Sequence, residues 1–80
     1  MCPIAQTALS SLREGDACTV SRLESRGDMR RRLGELGFVS GARVLCLQRS
    51  IFGDPAAYFV KGAVIALRDS DAALIIVDTV

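Results

Sequence analysis

The sequence contains no histidine and no tryptophan, and these absences exclude several kinds of functional site. Histidine is the commonest general base and the commonest metal ligand, so acid–base catalysis and imidazole-based metal binding lose their usual side chain. One tyrosine and three phenylalanines are the only aromatic residues. They are too few to form an obvious base-stacking platform for nucleic acid.

The chain also lacks a strong excess of charge of either sign. Ten basic and nine acidic residues give a net charge of +1, whereas phosphate-rich partners usually select strongly basic domains. We therefore expect no nucleic acid among its partners. Half of the residues are hydrophobic and only two are prolines, a composition that argues for a folded chain and against disorder.

Cysteine is scarce, and the three cysteines, Cys2, Cys18 and Cys46, include no C-x-x-C pair. An odd number of widely spaced cysteines is neither a disulfide framework nor a zinc motif. We interpret Cys18 and Cys46 as small buried hydrophobic residues. Cys2 is not predicted to be a catalytic nucleophile, because the chain has no histidine that could activate its thiol. The sequence predicts no catalytic residue, no metal site and no cofactor.

Long apolar runs are absent as well, and none approaches the roughly 20 residues needed to cross a bilayer. The start of the chain has no secretory signal pattern. Eighty residues are enough for one small core, and a chain of this size has little interior for an enclosed substrate cavity. We expect a single domain over residues 1–80 that is cytoplasmic.

One short helix is predicted between Asp28 and Gly37. Asp28 can accept hydrogen bonds from free backbone donors at the start of a helix, and Gly37 can adopt the left-handed conformation that ends one. Gly34 inside this helix costs about 1 kcal/mol relative to alanine, so tertiary packing must support it. The apolar residues at i, i+4 and i+7 form one stripe, which consists of Met29, Leu33 and Leu36.

Five segments have the composition of short strands, with the first expected at a sheet edge and a two-residue hairpin at Gly62-Ala63. The chain opens with a turn over residues 7–12, and a polar turn over residues 68–71 precedes the last strand. Closing five short strands into a barrel would remove their exposed edges. The pattern predicts a mainly β, five-stranded SH3-like barrel with the helix between strands one and two. The predicted strands are 17–23, 42–49, 56–61, 64–67 and 73–77.

The run from Arg30 to Arg32 is the most suggestive local feature, because arginine binds phosphates and carboxylates in bidentate geometry. Successive helix positions turn by about 100°, so three neighbouring arginines fan out instead of forming one patch. Pairs at i, i+4, namely Asp28 with Arg32 and Arg31 with Glu35, would neutralise them locally. We interpret the run as a solvated helix face.

Several short motifs, taken in order along nearly the whole chain, resemble the ferrous iron transport protein A family, FeoA. They comprise an opening leucine-rich turn, a helix with a leucine-glycine stop, a glycine-containing loop, and a hairpin strand that ends in leucine-arginine. These are Leu9 to Gly15, Arg32-Leu33, Glu35-Leu36-Gly37-Phe38, Gly41, Gly53-Asp54-Pro55, Gly62, Ile65-Ala66-Leu67-Arg68, Ala72 and Ile76. The chain departs from the family pattern at Gly34 and offers no histidine for iron.

The resemblance implies an SH3-like barrel and a cytoplasmic, non-enzymatic accessory of the membrane ferrous-iron transporter FeoB. Its partner would be the cytoplasmic GTP-binding part of that transporter. Related barrels form the terminal domain of iron-dependent repressors, so a regulatory or nucleic-acid-binding barrel is the alternative. A metal-binding chaperone that uses Cys18, Cys46 or carboxylates is a third hypothesis.

We expect the partner-binding surface on the loop side of the barrel, where aromatic side chains can present a peptide groove. Strand alternation places Tyr58 and Phe59 on opposite faces, so one can pack inside while the other faces solvent or a partner. A homo-oligomer formed through an edge strand is a further expectation. The candidate partner-binding residues are Arg31, Arg32, Phe52, Asp54 and Tyr58.

Overall fold

In a computed structural model of the chain, which describes residues 5–50 and 54–79, six antiparallel strands form one sheet with the order β1-β6-β2-β3-β4-β5. A 3₁₀ turn over Leu9–Ser11 follows β1, the helix α1 spans Gly27–Leu36, and a single helical turn, α2, spans Asp69–Ala72. The mainly β architecture with one principal helix between the first two predicted strands is confirmed. The strands are β1 (Ala5–Ala8), β2 (Ala17–Leu23), β3 (Arg43–Arg49), β4 (Ala56–Val60), β5 (Ala63–Leu67) and β6 (Ile75–Thr79).

The strand β1 is not predicted from the sequence, in which residues 7–12 have the pattern of a turn and only five segments have the composition of strands. Its residues show no apolar alternation, and the strand exists because β6 offers it a free edge, with Gln6 opposite Asp78 and Thr7 opposite Val77. For the same reason β2 is central, between β6 and β3, and not the predicted edge. The end strands are β1 and β5, and among the described residues no ladder joins them to close the sheet.

The inner face of the sheet carries the core. Side chains alternate along each strand, and the inward residues of β2, β3, β4 and β6 pack with Leu33 of α1 and with Phe38, two residues beyond the end of α1. Cys18 and Cys46 are both free thiols buried in this core, which confirms their interpretation as small hydrophobic residues. The inward strand residues are Cys18, Val20, Val44, Cys46, Ala56, Tyr58, Val60, Ile75 and Val77.

The helix α1 differs from its prediction at its first turn. Arg26 occupies the N-cap position without a side-chain cap, and Asp28 lies inside the first turn. There the Asp28 carboxylate accepts a 2.8 Å hydrogen bond from Arg31, at i, i+3, in place of the two predicted i, i+4 pairs. The predicted stop is confirmed: Gly37 is left-handed, with a φ of 112°.

The hairpin between β4 and β5 turns at Lys61 and Gly62, one residue earlier than predicted, and Val60 pairs with Ala63 across it. Both loop residues have positive φ, 50° at Lys61 and 81° at Gly62. A two-residue loop with this geometry matches the twist of the flanking strands. The last strand begins at Ile75, later than predicted, because Ala73 and Leu74 form the turn that ends α2, with their N–H groups donating to the carbonyls of Asp69 and Asp71.

Arg49, at the end of β3, connects three parts of the chain. Its Nε–H donates a 2.7 Å hydrogen bond to the carbonyl of Leu12, and its Nη2 donates to the carbonyl of Ser10. Its Nη1 lies 3.9 Å from a carboxylate oxygen of Asp69 at the start of α2. The backbone N–H of Arg49 donates to the Glu14 carboxylate at 2.9 Å. The β1–β2 connection is thereby fixed against β3 and α2.

We expect Arg49→Lys to lower the free energy of unfolding by about 1–3 kcal/mol, because lysine keeps the charge but cannot reach two carbonyls with one planar fork. The measurement is a urea denaturation curve. Arg43→Lys is the matched control, since Arg43 is exposed on the same strand. Equal urea midpoints for the two variants would show that the hydrogen bonds of the Arg49 guanidinium contribute nothing to stability.

A pair of glycine substitutions in and after α1 should change stability in opposite directions. A Cβ at Gly34 would meet no atom within 4 Å, so Gly34→Ala should stabilise the helix by about 0.5–1 kcal/mol. A Cβ at Gly37 would lie 2.7 Å from Cγ of Lys61, at a φ that L residues rarely adopt. Gly37→Ala should therefore destabilise the protein by about 1–3 kcal/mol. Thermal melts of both variants test this, and shifts of the same sign would contradict it.

Candidate partner-binding surface

The residues that the sequence singled out for partner binding fall in different environments. Arg31 and Arg32 are exposed on α1, and Asp54 is exposed before β4, where its carboxylate accepts a 3.0 Å hydrogen bond from the backbone N–H of Asp69. Phe52 lies outside the described residues. Tyr58 is only 1% exposed, so the expectation that it faces a partner is wrong: its ring belongs to the core, and burial raises the pKa of its hydroxyl.

Arg31 and Asp54 have different contacts in the structure. Arg31 pairs with Asp28 within α1. Asp54 precedes β4 and accepts a hydrogen bond from the start of α2. The end of α1 lies at the opposite end of β4 from Asp54, where Gly37 approaches Lys61. Among the described residues, no hydrogen bond or ion pair links Arg31 to Asp54.

A row of apolar side chains crosses the outer face of the sheet instead. Leu45 of β3 lies opposite Phe59 of β4, and Phe59 lies opposite Val64 of β5. Phe59 is 42% exposed and Val64 is 64% exposed. We call these three residues the apolar row. Phe59 is the outward member of the Tyr58-Phe59 pair. Strand alternation in the sequence predicts that one of these two residues faces outward, but the candidate partner-binding residue was Tyr58, which faces inward.

A groove of about 590 Å³ adjoins the apolar row. Leu45 and Phe59 form its apolar wall, and Arg43 and Lys61 contribute two positive charges. No acidic residue lines it. Gly41, with a φ of 89° and no side chain, keeps one side of the groove open. The groove thus fits an apolar side chain that is accompanied by a carboxylate.

Residues 5–50 and 54–79 contain neither a cluster of metal ligands nor a membrane-spanning helix. No three cysteine, aspartate or glutamate side chains in these ranges are grouped so that they could hold a metal ion. No helix in the same ranges is long and apolar enough to cross a membrane. Burial raises the pKa of the Cys18 thiol to about 11 and also raises the pKa of Cys46. The thiolate forms that bind metal are therefore disfavoured at neutral pH.

A small antiparallel sheet, one principal helix between its strands and an apolar interior together define a small β domain of the SH3-like class. The FeoA domain model matches residues 7–79. The chain belongs to the FeoA domain family, a family of ferrous iron transport proteins, as the sequence motifs predicted.

Relatives agree with this assignment. The chain is 38% identical over 72 residues to a fusion protein of Fe(2+) transport protein A and the Fe(2+) transporter FeoB from Porphyromonas gingivalis, covering 90% of this chain and 8% of the fusion protein. The solution structure of the FeoA protein from Chlorobium tepidum superposes with a TM-score of 0.87 and 32% identity, over 92% of this chain and 70% of that one.

A second solved relative defines the fold class. FeoA of Stenotrophomonas maltophilia, crystallised with zinc, has a TM-score of 0.82 and 32% identity, over 90% of this chain and 89% of that one. It is described as an SH3 domain protein proposed to activate ferrous iron transport. A manganese-dependent transcriptional repressor has a TM-score of 0.84 at 23% identity, over 100% of this chain and 45% of that one, so it shares the fold alone.

The buried thiols lead to a prediction about reactivity and pH. In a Cys2→Ala variant, the folded protein should react slowly with a thiol reagent at pH 8, and two thiols should react after denaturation, because burial disfavours the thiolate. A raised pKa in the folded state stabilises the protein at low pH, so the free energy of unfolding should fall as pH rises from about 9 to about 11. Cys18→Val should reduce this fall. Rapid labelling of two thiols in the folded variant would contradict the burial.

Proposed function

We propose that this protein is a cytoplasmic accessory of ferrous iron uptake that binds the FeoB transporter and modulates it without performing chemistry itself. The observation that carries the proposal is the Porphyromonas gingivalis relative, in which a region similar to this chain is joined to the FeoB transporter in one polypeptide. Domains joined in one chain meet at high effective concentration. We infer that this domain associates with the transporter through its surface.

The proposed contact is the groove beside the apolar row. Exposed apolar patches bordered by polar residues mark protein interaction surfaces, and here Phe59 is 42% exposed in a groove that Arg43 and Lys61 also line. The partner segment that fits this surface carries an apolar side chain next to an acidic residue. We place that segment in the cytoplasmic, GTP-binding part of the transporter.

A second surface is the exposed helix face with Arg31 and Arg32. Arg31 already pairs with Asp28, an exposed pair of small energetic value. Arg32 is exposed, and helix positions this close in sequence point in different directions. Asp54 lies on a separate loop. These residues can contribute at the margin of a contact, but they offer less apolar area than the groove.

The proposal predicts that the purified cytoplasmic part of the cognate transporter binds this protein and that groove variants weaken the complex. We expect Phe59→Ser and Lys61→Glu each to raise the Kd at least tenfold, which is about 1.4 kcal/mol. Isothermal titration calorimetry, with and without GTP, measures this. Leu74→Ser is the matched control, because Leu74 is also 42% exposed but does not line the groove.

The helix variants Arg31→Glu and Arg32→Glu separate the two surfaces. If they weaken binding and the groove variants do not, the contact lies on the helix face and the groove assignment is wrong. If neither the isolated cytoplasmic part nor the full transporter in lipid nanodiscs binds the protein, the proposed function itself is wrong.

A further inference from the structure

The strand β5 is an open edge with an unusual composition. It pairs only with β4 among the described strands. Its five residues, Ala63–Leu67, include no charge and no proline. Val64 is 64% exposed, and Ala63 and Ala66 are exposed as well. An edge of this kind presents unpaired backbone groups to other chains.

The hairpin geometry determines which backbone groups are unpaired. In an antiparallel ladder, hydrogen-bonded pairs alternate with pairs that exchange no hydrogen bonds. Val60 and Ala63 close a two-residue loop and therefore form a bonded pair. The alternation then leaves Val64, opposite Phe59, with its backbone N–H and C=O directed away from β4. Ala66, two residues further along, has the same orientation.

The protections that usually guard such an edge are missing from β5. Natural edge strands carry charged residues, prolines or bulges that prevent pairing. Within this sheet, the ladder between β2 and β6 shifts register at Val20/Arg22, and the ladder between β3 and β4 shifts at Cys46/Gln48. The ladder between β4 and β5 runs without a shift over all five residues. The pairing of β5 with β4 is therefore regular along the whole strand, and the exposed edge of β5 can pair with another strand.

We propose that a second copy of this chain occupies the edge, with the two β5 strands antiparallel and Ile65 of each copy at the two-fold axis. In this register Val64 of one copy lies opposite Ala66 of the other. The outward N–H and C=O groups of both residues then form four backbone hydrogen bonds across the axis. The contact is self-complementary, as a two-fold interface requires.

Charge complementarity favours this antiparallel register over parallel pairing. A register centred on residue 65 places position 61 of one copy at the level of position 69 of the other. The exposed Lys61 therefore faces the exposed Asp69 at the start of α2 of the second copy, and this happens at both ends of the interface. In parallel pairing, Lys61 would face Lys61.

The apolar row also becomes continuous through this pairing. Leu45, Phe59 and Val64 follow one another across the outer face, and Ala66 of the second copy would extend the row beyond Val64. The groove lies on the other side of Phe59, along Arg43 and Ala17. It stays open in the dimer, but Lys61 belongs to both surfaces, so a change at Val64, which does not line the groove, is the one that separates self-association from transporter binding.

Sedimentation equilibrium of the full chain, without any transporter, tests the proposal over a range from micromolar to millimolar concentration. We expect a monomer–dimer equilibrium, and we expect Val64→Lys to raise its Kd at least tenfold, because an edge lysine blocks strand pairing. Leu74→Lys is the control for an added surface charge elsewhere. A monomer at millimolar concentration, or a dimer that Val64→Lys leaves unchanged, would overturn the proposal.

A charge exchange tests the register itself. Lys61→Asp and Asp69→Lys should each weaken the dimer, and the double variant should restore it; aspartate tolerates the positive φ at position 61. Amide hydrogen exchange gives a second measurement. Val64 and Ala66 should become protected as concentration rises, while Ala63 and Ile65, already bonded to β4, should not change. Failure of the double variant to recover, or protection at other residues, would contradict this register.

Discussion

The guanidinium of Arg49 is the contact on which the arrangement of this small domain depends. It donates to two carbonyls in and after the 3₁₀ turn, at Ser10 and Leu12, and its side chain is only 21% exposed. Carbonyls at the end of a helical turn lack partners within it, and a partly buried group left without one costs free energy. One arginine satisfies two of them and places the β1–β2 connection against β3. Leu9 and Leu12 can then close the core from that side.

This closure has a direct consequence for function. The inner face of the sheet is filled by apolar side chains, the Tyr58 ring and two thiols. Desolvation keeps those thiols protonated, and the described part of the chain groups no three acidic or cysteine side chains for a metal. The interior therefore has a structural role. The recognition that we propose takes place on the outer face, where the groove, the apolar row and the edge of β5 adjoin one another.

Backbone conformation connects the helix to that outer face. Gly37 ends α1 with a left-handed φ, and the chain there approaches the side-chain stem of Lys61. Lys61 itself has a positive φ in the β4–β5 loop and lines the groove. The end of α1 thus lies against Lys61, the cation that both proposals use. Lys61 lines the groove, and in the proposed dimer it faces Asp69 of the second copy. This contact explains why a glycine is required after the helix.

What the sequence determined by itself was local. The apolar spacing around Leu33, the glycine stop at Gly37, the hairpin near Gly62 and the burial of Cys18 each depend on near neighbours or on side-chain chemistry. The ordered motifs were sufficient to identify the FeoA family. The tertiary structure alone decided that residues 5–8 form a strand and that β2 is central, because both depend on pairing with β6 at the far end of the chain. It also decided that Phe59 faces outward in place of Tyr58 and that Arg31 and Asp54 contact different elements, since sequence patterns carry no information about which distant elements meet.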